Sequence, residues 1–177
     1  MDATFRRPSE RRAKPMQPLA SLPVFLTLTN QQALVIGGSA AALWKAELLL
    51  AAGAAVTVIA APETVSPDMA AFLADGTVPH AARMWQDGDL IGKAIAVADL
   101  EGMQAQAFAC AAQAAGCLWN VIDQPALSQV QFGSIVNRSP VVIGISTTGA
   151  APVLGQAIRA RIETLLPPSL ADWAALA

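Results

Sequence analysis

Several functional classes are excluded by what this 177-residue chain has little of. Its single histidine, His80, has no cysteine or second histidine near it in sequence, so no metal-ligand cluster is written there and a surface position is expected. Only two cysteines are present. Cys110 and Cys117 are too far apart for a C-x-x-C site and lie in apolar sequence, which reads as buried thiols in a reducing compartment, the cytoplasm. The formal net charge is -2, without the basic excess that gives general affinity for nucleic acid or anionic membrane. No apolar run reaches the roughly 18 residues needed to cross a bilayer, and no apolar segment of signal-peptide type follows the N-terminal charges. A small-molecule partner is the reading left, and 54% hydrophobic content is enough for a full core.

What is present is alternation. Residues 1 to 21 carry five of the eleven basic residues and three of the twelve prolines, and are expected to be a disordered tail. From residue 22 the pattern predicts a short lead-in strand at 24–28, strands at 33–37 and 55–60, and a helix at 40–52 stopped by Gly53. A helix at 67–74 stopped near Gly76 precedes strands at 77–82 and 93–98. A helix at 101–115 ended by Gly116 leads to a strand at 118–122. Apolar strands separated by helices imply α/β architecture: a Rossmann-like doubly wound parallel sheet. After Pro125 the pattern changes. Residues 134–146 suit a hairpin around Asn137 to Pro140, and 151–166 an amphipathic helix. Pro167 and Pro168 interrupt that helix before a further one with Ser169 as N-cap. The expected division is a tail over 1–21, a Rossmann-like domain over 22–115, a region with the hairpin over 116–148 and a small helical region over 149–177.

The stretch "LVIGGSAAA", residues 34 to 42, is an apolar strand running into paired glycines and then a small-residue helix. In a dinucleotide-binding turn the first glycine makes the bend, the second lets the pyrophosphate approach the backbone, and the third position needs a small residue. Gly37 and Ala42 fit the first and third roles; Ser39 falls on the second, where it either crowds a phosphate or donates a hydrogen bond to it. No acid ends the next strand, where a ribose-binding carboxylate is expected; Glu63 comes a few residues late. The competing reading is that Gly37 and Gly38 only shape a tight turn.

Two carboxylates, Asp99 and Asp123, follow predicted parallel strands, at the end of the sheet where ligands of open α/β folds bind. Each also has a plain reading as a loop cap. The run "ISTTG", Ile145 to Gly149, ends a strand and precedes a helix; its hydroxyls and amides suit an anion, or simple helix capping.

In order, "LPVFLTL", "LVIGGSAAALWKAELLLAAGAAVTVIAAPE", "AIAVAD", "NVIDQP", "SIVNRSPVVIGISTTGAAPVL" and "IRARIETLLP" resemble the precorrin-2 dehydrogenase/sirohydrochlorin ferrochelatase module of siroheme synthases, over about residues 22 to 177. The resemblance implies a homodimer, with an NAD-binding Rossmann domain over 22–115 and a dimerisation region over 116–148, that oxidises the tetrapyrrole precorrin-2 to sirohydrochlorin with NAD, in many members followed by Fe2+ insertion. Many members are fused to a uroporphyrinogen-III methyltransferase domain. It further implies Asp123 as catalytic residue, and as a transient Fe2+ ligand if chelation occurs. A cofactor site would comprise Gly37, Gly38, Ser39, Ala40, Ala41, Ala61, Pro62, Ala98 and Asp99. Substrate contacts would come from Asn120, Asn137, Arg138, Ser146, Thr147, Thr148 and Gly149.

The chain departs from the family pattern at Ser39, where a third glycine is typical, and at Trp44, where an arginine commonly precedes Lys45. Ala98 lacks a hydroxyl common there, Val130 and Gly133 replace "F-x-x-P", and Ala151 replaces a serine. These changes keep two alternatives open: a non-catalytic Rossmann-like protein that binds a tetrapyrrole or nucleotide, and a dehydrogenase of an unrelated small substrate.

Overall fold

The structure, a computed structural model, describes residues 17–149, 151–167 and 170. Residues 1–16 of the expected tail and the helix capped by Ser169 lie outside the described residues. Five parallel strands form one sheet: β1 (Gln32–Ile36), β2 (Ala55–Ile59), β3 (His80–Ala81), β4 (Ile95–Ala98) and β5 (Leu118–Val121), in spatial order β3-β2-β1-β4-β5. The chain leaves β1 in one direction through β2 and β3, then crosses to β4 on the other side. Strand order therefore reverses between β1 and β4, the place where ligands of doubly wound sheets bind.

Period-two alternation decides what covers each face. Ala33 and Val35 of β1, with Ile95 and Val97 of β4, pack in one cluster with Ala42, Ala46 and Leu49 of α1 (Ala40–Ala51) and Met69 of α2 (Pro67–Leu73). Leu34 and Ile36, with Ala96 and Ala98, pack with Ala105, Phe108 and Ala112 of α3 (Gly102–Ala114) on the opposite face. The buried helix positions recur at three- and four-residue spacing, the stripe a helix needs to lie on a sheet. Alanine along these stripes lets the helices approach closely.

Beyond the sheet, β6 (Ser134–Arg138) and β7 (Val141–Ile145) form the antiparallel hairpin, and α4 (Pro152–Leu165) packs on it. Three expectations need correction. Residues 24–28 form no strand: β1 already has β2 and β4 on its two edges, and the run pairs with nothing among the described residues. It leaves Val24, Phe25 and Leu26 exposed before a turn in which the Gln31 amide donates to the Leu28 carbonyl. The strand expected at 77–82 shrinks to His80–Ala81, because Pro79 has no N–H for a ladder. Finally, β5 pairs with β4 inside the five-stranded sheet, so residues 118–121 belong with the nucleotide-binding domain and not with the hairpin. Cys117 is buried as expected, whereas Cys110 is exposed on α3, on the side turned away from Phe108 and Ala112. His80 is exposed, its Nε2 3.3 Å from the Ala60 carbonyl.

Candidate functional site

The tight turn after β1 is built by contact as much as by conformation. Gly37 has φ +110°, and a Cβ there would lie 2.8 Å from Cβ of Asp99. A Cβ on Gly38 would lie 2.7 Å from both the Thr64 carbonyl oxygen and the Val65 Cα. The Gly38 carbonyl accepts from the Ser66 amide at 2.8 Å, fastening the turn to the start of α2. Both glycines are thus required by the protein's own packing.

Ser39 takes a role the sequence did not disclose: it is the N-cap of α1, with extended backbone, and its Oγ accepts from the Ala42 amide at 3.2 Å. A third glycine is not needed for backbone reasons here. The cap satisfies one first-turn amide and leaves those of Ala40 and Ala41, which have no intrahelical acceptor, at the positive end of the helix dipole.

Around this turn lies a cleft of about 310 Å3, whose wall includes Gly37, Gly38, Ser39, Ala61 and Asp99. Five of the residues expected to hold cofactor are thereby brought together at the reversal of strand order. Pro62 opens a 3-10 turn beside them. Ala98 does not join them; it is fully buried within the sheet. Free helix-terminal amides, a glycine turn in the wall and a carboxylate packed beside Gly37 fit a dinucleotide. Arg83 and Trp85 complete the wall on the β3 side, and no pattern in the sequence pointed to them.

A second cleft of about 310 Å3 lies where the sheet domain meets the hairpin, with Trp44, Phe132, Ser146, Thr147, Gly149 and Arg159 in its wall. The "ISTTG" hydroxyls do not cap α4. Its N-cap is Ala151, without a side-chain cap bond, and Thr148 Oγ1 donates instead to the Thr147 carbonyl at 2.7 Å. Asn137 and Arg138 are elsewhere, which corrects their expected place near Ser146. The pairing of Asn137 with Val142 and Arg138 with Val141, four and five residues before Ser146, puts them at the far end of the hairpin, about 14–17 Å away at roughly 3.4 Å per residue. Asn137 Oδ1 accepts from the amide and hydroxyl of Ser139, and Arg138 Nε donates to the Leu166 carbonyl at 3.0 Å. The cation that does reach the second cleft is Arg159, one helical turn from its ion-pair partner Glu163 at 2.9 Å.

Lys45, on the helix that starts at the glycine turn, lies beside the second cleft. On α1, its Nζ lies 4.4 Å from the Trp44 ring centroid and 4.1 Å from that of Phe132. Burial pushes this ammonium down to about 8, against the opposing pull of the Asp123 carboxylate. Asp123 itself is exposed just past β5, with φ +57°, and is part of neither cleft wall. Its turn is held from behind. Asn120, 7% exposed, donates through Nδ2 to the Val130 carbonyl at 2.9 Å and to Ser128 Oγ at 3.3 Å, and Trp119 Nε1 donates to the Leu127 carbonyl at 2.7 Å. Asn120 Nδ2 is therefore committed to the loop, while its Oδ1 is a buried atom without a hydrogen-bond partner among the described residues. Among those residues, no three His, Cys, Asp or Glu side chains converge as a metal site.

Similarity to known proteins agrees with this arrangement. A siroheme synthase of Pseudomonas putida is 45% identical over 158 residues, 88% of this chain and 33% of that protein. One from Methylobacillus flagellatus is 38% identical over 160 residues, 90% of this chain and 34% of its own length. The chain spans about a third of the length of these relatives. The solved structure of SirC, precorrin-2 dehydrogenase, superposes with a TM-score of 0.66 at 23% identity, covering 88% of this chain and 76% of that one, and so shares the fold. Residues 24–134 match the family described as "Putative NAD(P)-binding", a span that opens before β1 and closes at the start of the hairpin. It contains the whole five-stranded sheet and every residue that brings the glycine turn and Asp99 together, and by that match the chain belongs to this NAD(P)-binding family.

Proposed function

We propose that the chain is an NAD-dependent precorrin-2 dehydrogenase, the activity of the module that siroheme synthases carry. One observation carries the reading: α1 runs from Ser39 in the wall of the cofactor cleft to Trp44 in the wall of the hydroxyl-rich cleft, and Lys45, the next residue, packs against Phe132 and feels the charge of Asp123. The nicotinamide, when bound, supplies hydride acceptance. The protein's own part is to orient and to take a proton. The amides of Ala40 and Ala41 face the pyrophosphate, and Gly37 and Gly38 allow it to lie against the backbone. Ser146, Thr147 and Arg159 hold substrate carboxylates. Asp123 accepts the proton released as the reduced macrocycle loses hydride, and Lys45 steadies the carboxylate. Should chelation follow, Fe2+ is a second substrate and Asp123 takes the displaced pyrrole N–H protons.

The hairpin is read as the homodimer contact. Val141 and Val142 of β7 are exposed, and an apolar two-stranded ribbon is a poor free surface. The cytoplasm remains the proposed location, since both cysteines are unpaired; no helix among the described residues is long and apolar enough to cross a membrane. The absence of Asp123 from both cleft walls favours one alternative, a protein that binds cofactor and tetrapyrrole without turnover. Absorbance spectra of the purified chain with precorrin-2 and NAD decide between them. Conversion to the sirohydrochlorin spectrum supports the enzyme. Binding of both ligands without conversion supports the alternative.

A further inference from the structure

The adenosine side of the cofactor cleft has an electrostatic character that the glycine turn does not explain. In folds of this kind the adenine ribose sits beyond the end of β2, where a carboxylate bonds the 2'-hydroxyl in NAD-selective proteins and an arginine accommodates the 2'-phosphate in NADP-binding ones. Here β2 is followed by Ala60 and Ala61, both in the wall, and Glu63 on the following 3-10 turn is not part of it. The acids of the wall, Asp99 and Glu101, both follow β4, on the opposite side of Gly37. On the β2 side the charged wall residue is Arg83. It follows β3, which lies next to β2; its amide donates to the Ala81 carbonyl at 2.9 Å, and the same carbonyl accepts from Ala60.

Arg83 is held in a fixed pose. Nη1 donates to Asp89 Oδ2 at 2.8 Å and to the Met84 carbonyl at 2.9 Å, and Nη2 donates to Asp89 Oδ1 at 2.7 Å. Asp89 is itself fixed by the Gln86 amide at 2.8 Å. Three of the five guanidinium donors are thus used. The two without an acceptor among the described residues are Nε–H and the second N–H of Nη2. They share one edge of the plane, the fork that pairs with two oxygens of a phosphate.

We propose that Arg83, braced by Asp89, is a cofactor-specificity residue that admits a 2'-phosphate, so that the cleft takes NADP as well as NAD. The inference rests on the cofactor reading above. Calorimetric titration of NAD+, NADP+ and the fragments 2',5'-ADP and 5'-ADP into the whole chain tests it without turnover. Wild type should bind NADP+ within about threefold of NAD+ or tighter, and Arg83→Gln should weaken NADP+ and 2',5'-ADP by about tenfold or more, with NAD+ and 5'-ADP within about threefold. Arg83→Lys, which keeps charge but loses the fork, should recover only part of the loss. Circular dichroism of each variant establishes that it is folded, and Asp89→Asn, expected to weaken NADP+ selectively through a loosened Arg83, gives a second reading. NAD+ bound normally with NADP+ more than about thirtyfold weaker, or both cofactors weakened equally by Arg83→Gln, overturns the proposal alone. Failure of NAD+ itself to bind overturns the underlying cofactor reading.

Discussion

The ammonium of Lys45 lies 4.1 Å from the ring centroid of Phe132, across the boundary between the helix that follows the glycine turn and the segment that leads into the hairpin. This contact joins the two regions on which the proposed chemistry depends. It also explains how a lysine is kept in a half-buried place: two ring faces and the Asp123 charge offset part of its lost hydration.

That environment has a pH signature. The folded chain holds Lys45 at about 8 against an ordinary value of 10.5, so between these limits the unfolded chain binds more protons than the folded one. The cost of burying the charge is fully present below about pH 8 and is relieved as pH rises toward 10.5. Urea unfolding of wild type and Lys45→Met across this window should show the wild type gaining stability relative to the variant. A constant difference would mean that Lys45 has an ordinary pKa.

Ser39 serves its own helix. Replacing it with alanine removes the bond to the Ala42 amide and should lower stability by about 0.5–2 kcal/mol, while glycine should cost only a few tenths. For neither variant should NAD affinity change by more than about threefold, because the hydroxyl is already engaged within the protein. A tenfold gain with Ser39→Gly would show that the serine crowds the pyrophosphate after all.

Gly38 tolerates no side chain. Alanine would press on the Thr64 carbonyl and the Val65 backbone, neither of which is a flexible side chain. Gly38→Ala should destabilise by about 1–3 kcal/mol and weaken NAD by displacing the turn. Thermal unfolding and calorimetry with the one variant measure both effects.

Asp123→Asn preserves the shape of the turn and removes its base. The expected result is a fall in kcat of about 10² to 10⁴ with NAD binding nearly unchanged. Asp99→Asn, packed against Gly37 in the cleft wall, should act mainly on NAD affinity. Loss of turnover confined to the Asp99 variant would transfer the proposed role to that carboxylate.

If the hairpin is an interface between copies, Val142→Asp should convert a dimer to a monomer in light scattering at micromolar concentration, since a charge would be buried without a partner. A wild-type monomer would remove the dimer reading.

Local chemistry made most of the fold legible in the sequence. Apolar strands long enough to be buried on both faces, glycines at helix ends such as Gly53 and Gly116, and the change of pattern after Pro125 are short-range signals. They led to the five strands and three helices of the sheet domain and to the hairpin. The same kind of signal misled at residues 24–28, because an apolar run becomes a strand only if an edge is available to it, and edges belong to the whole sheet. Residues that follow parallel strands, Gly37 and Asp99, could be placed at one end of the sheet from sequence because parallel strands share a direction. Whether neighbours in sequence stay neighbours in space could not be read: Arg138 and Ser146 lie at opposite ends of one hairpin, while Arg159, far along the next helix, enters the cleft. The bond from the Ala42 amide to Ser39 is by contrast local, three residues along one helix. Lys45 between two rings and Arg83 held by Asp89 were decided only by tertiary structure, because each depends on the direction of a side chain and on a partner outside its own element, and sequence periodicity carries neither.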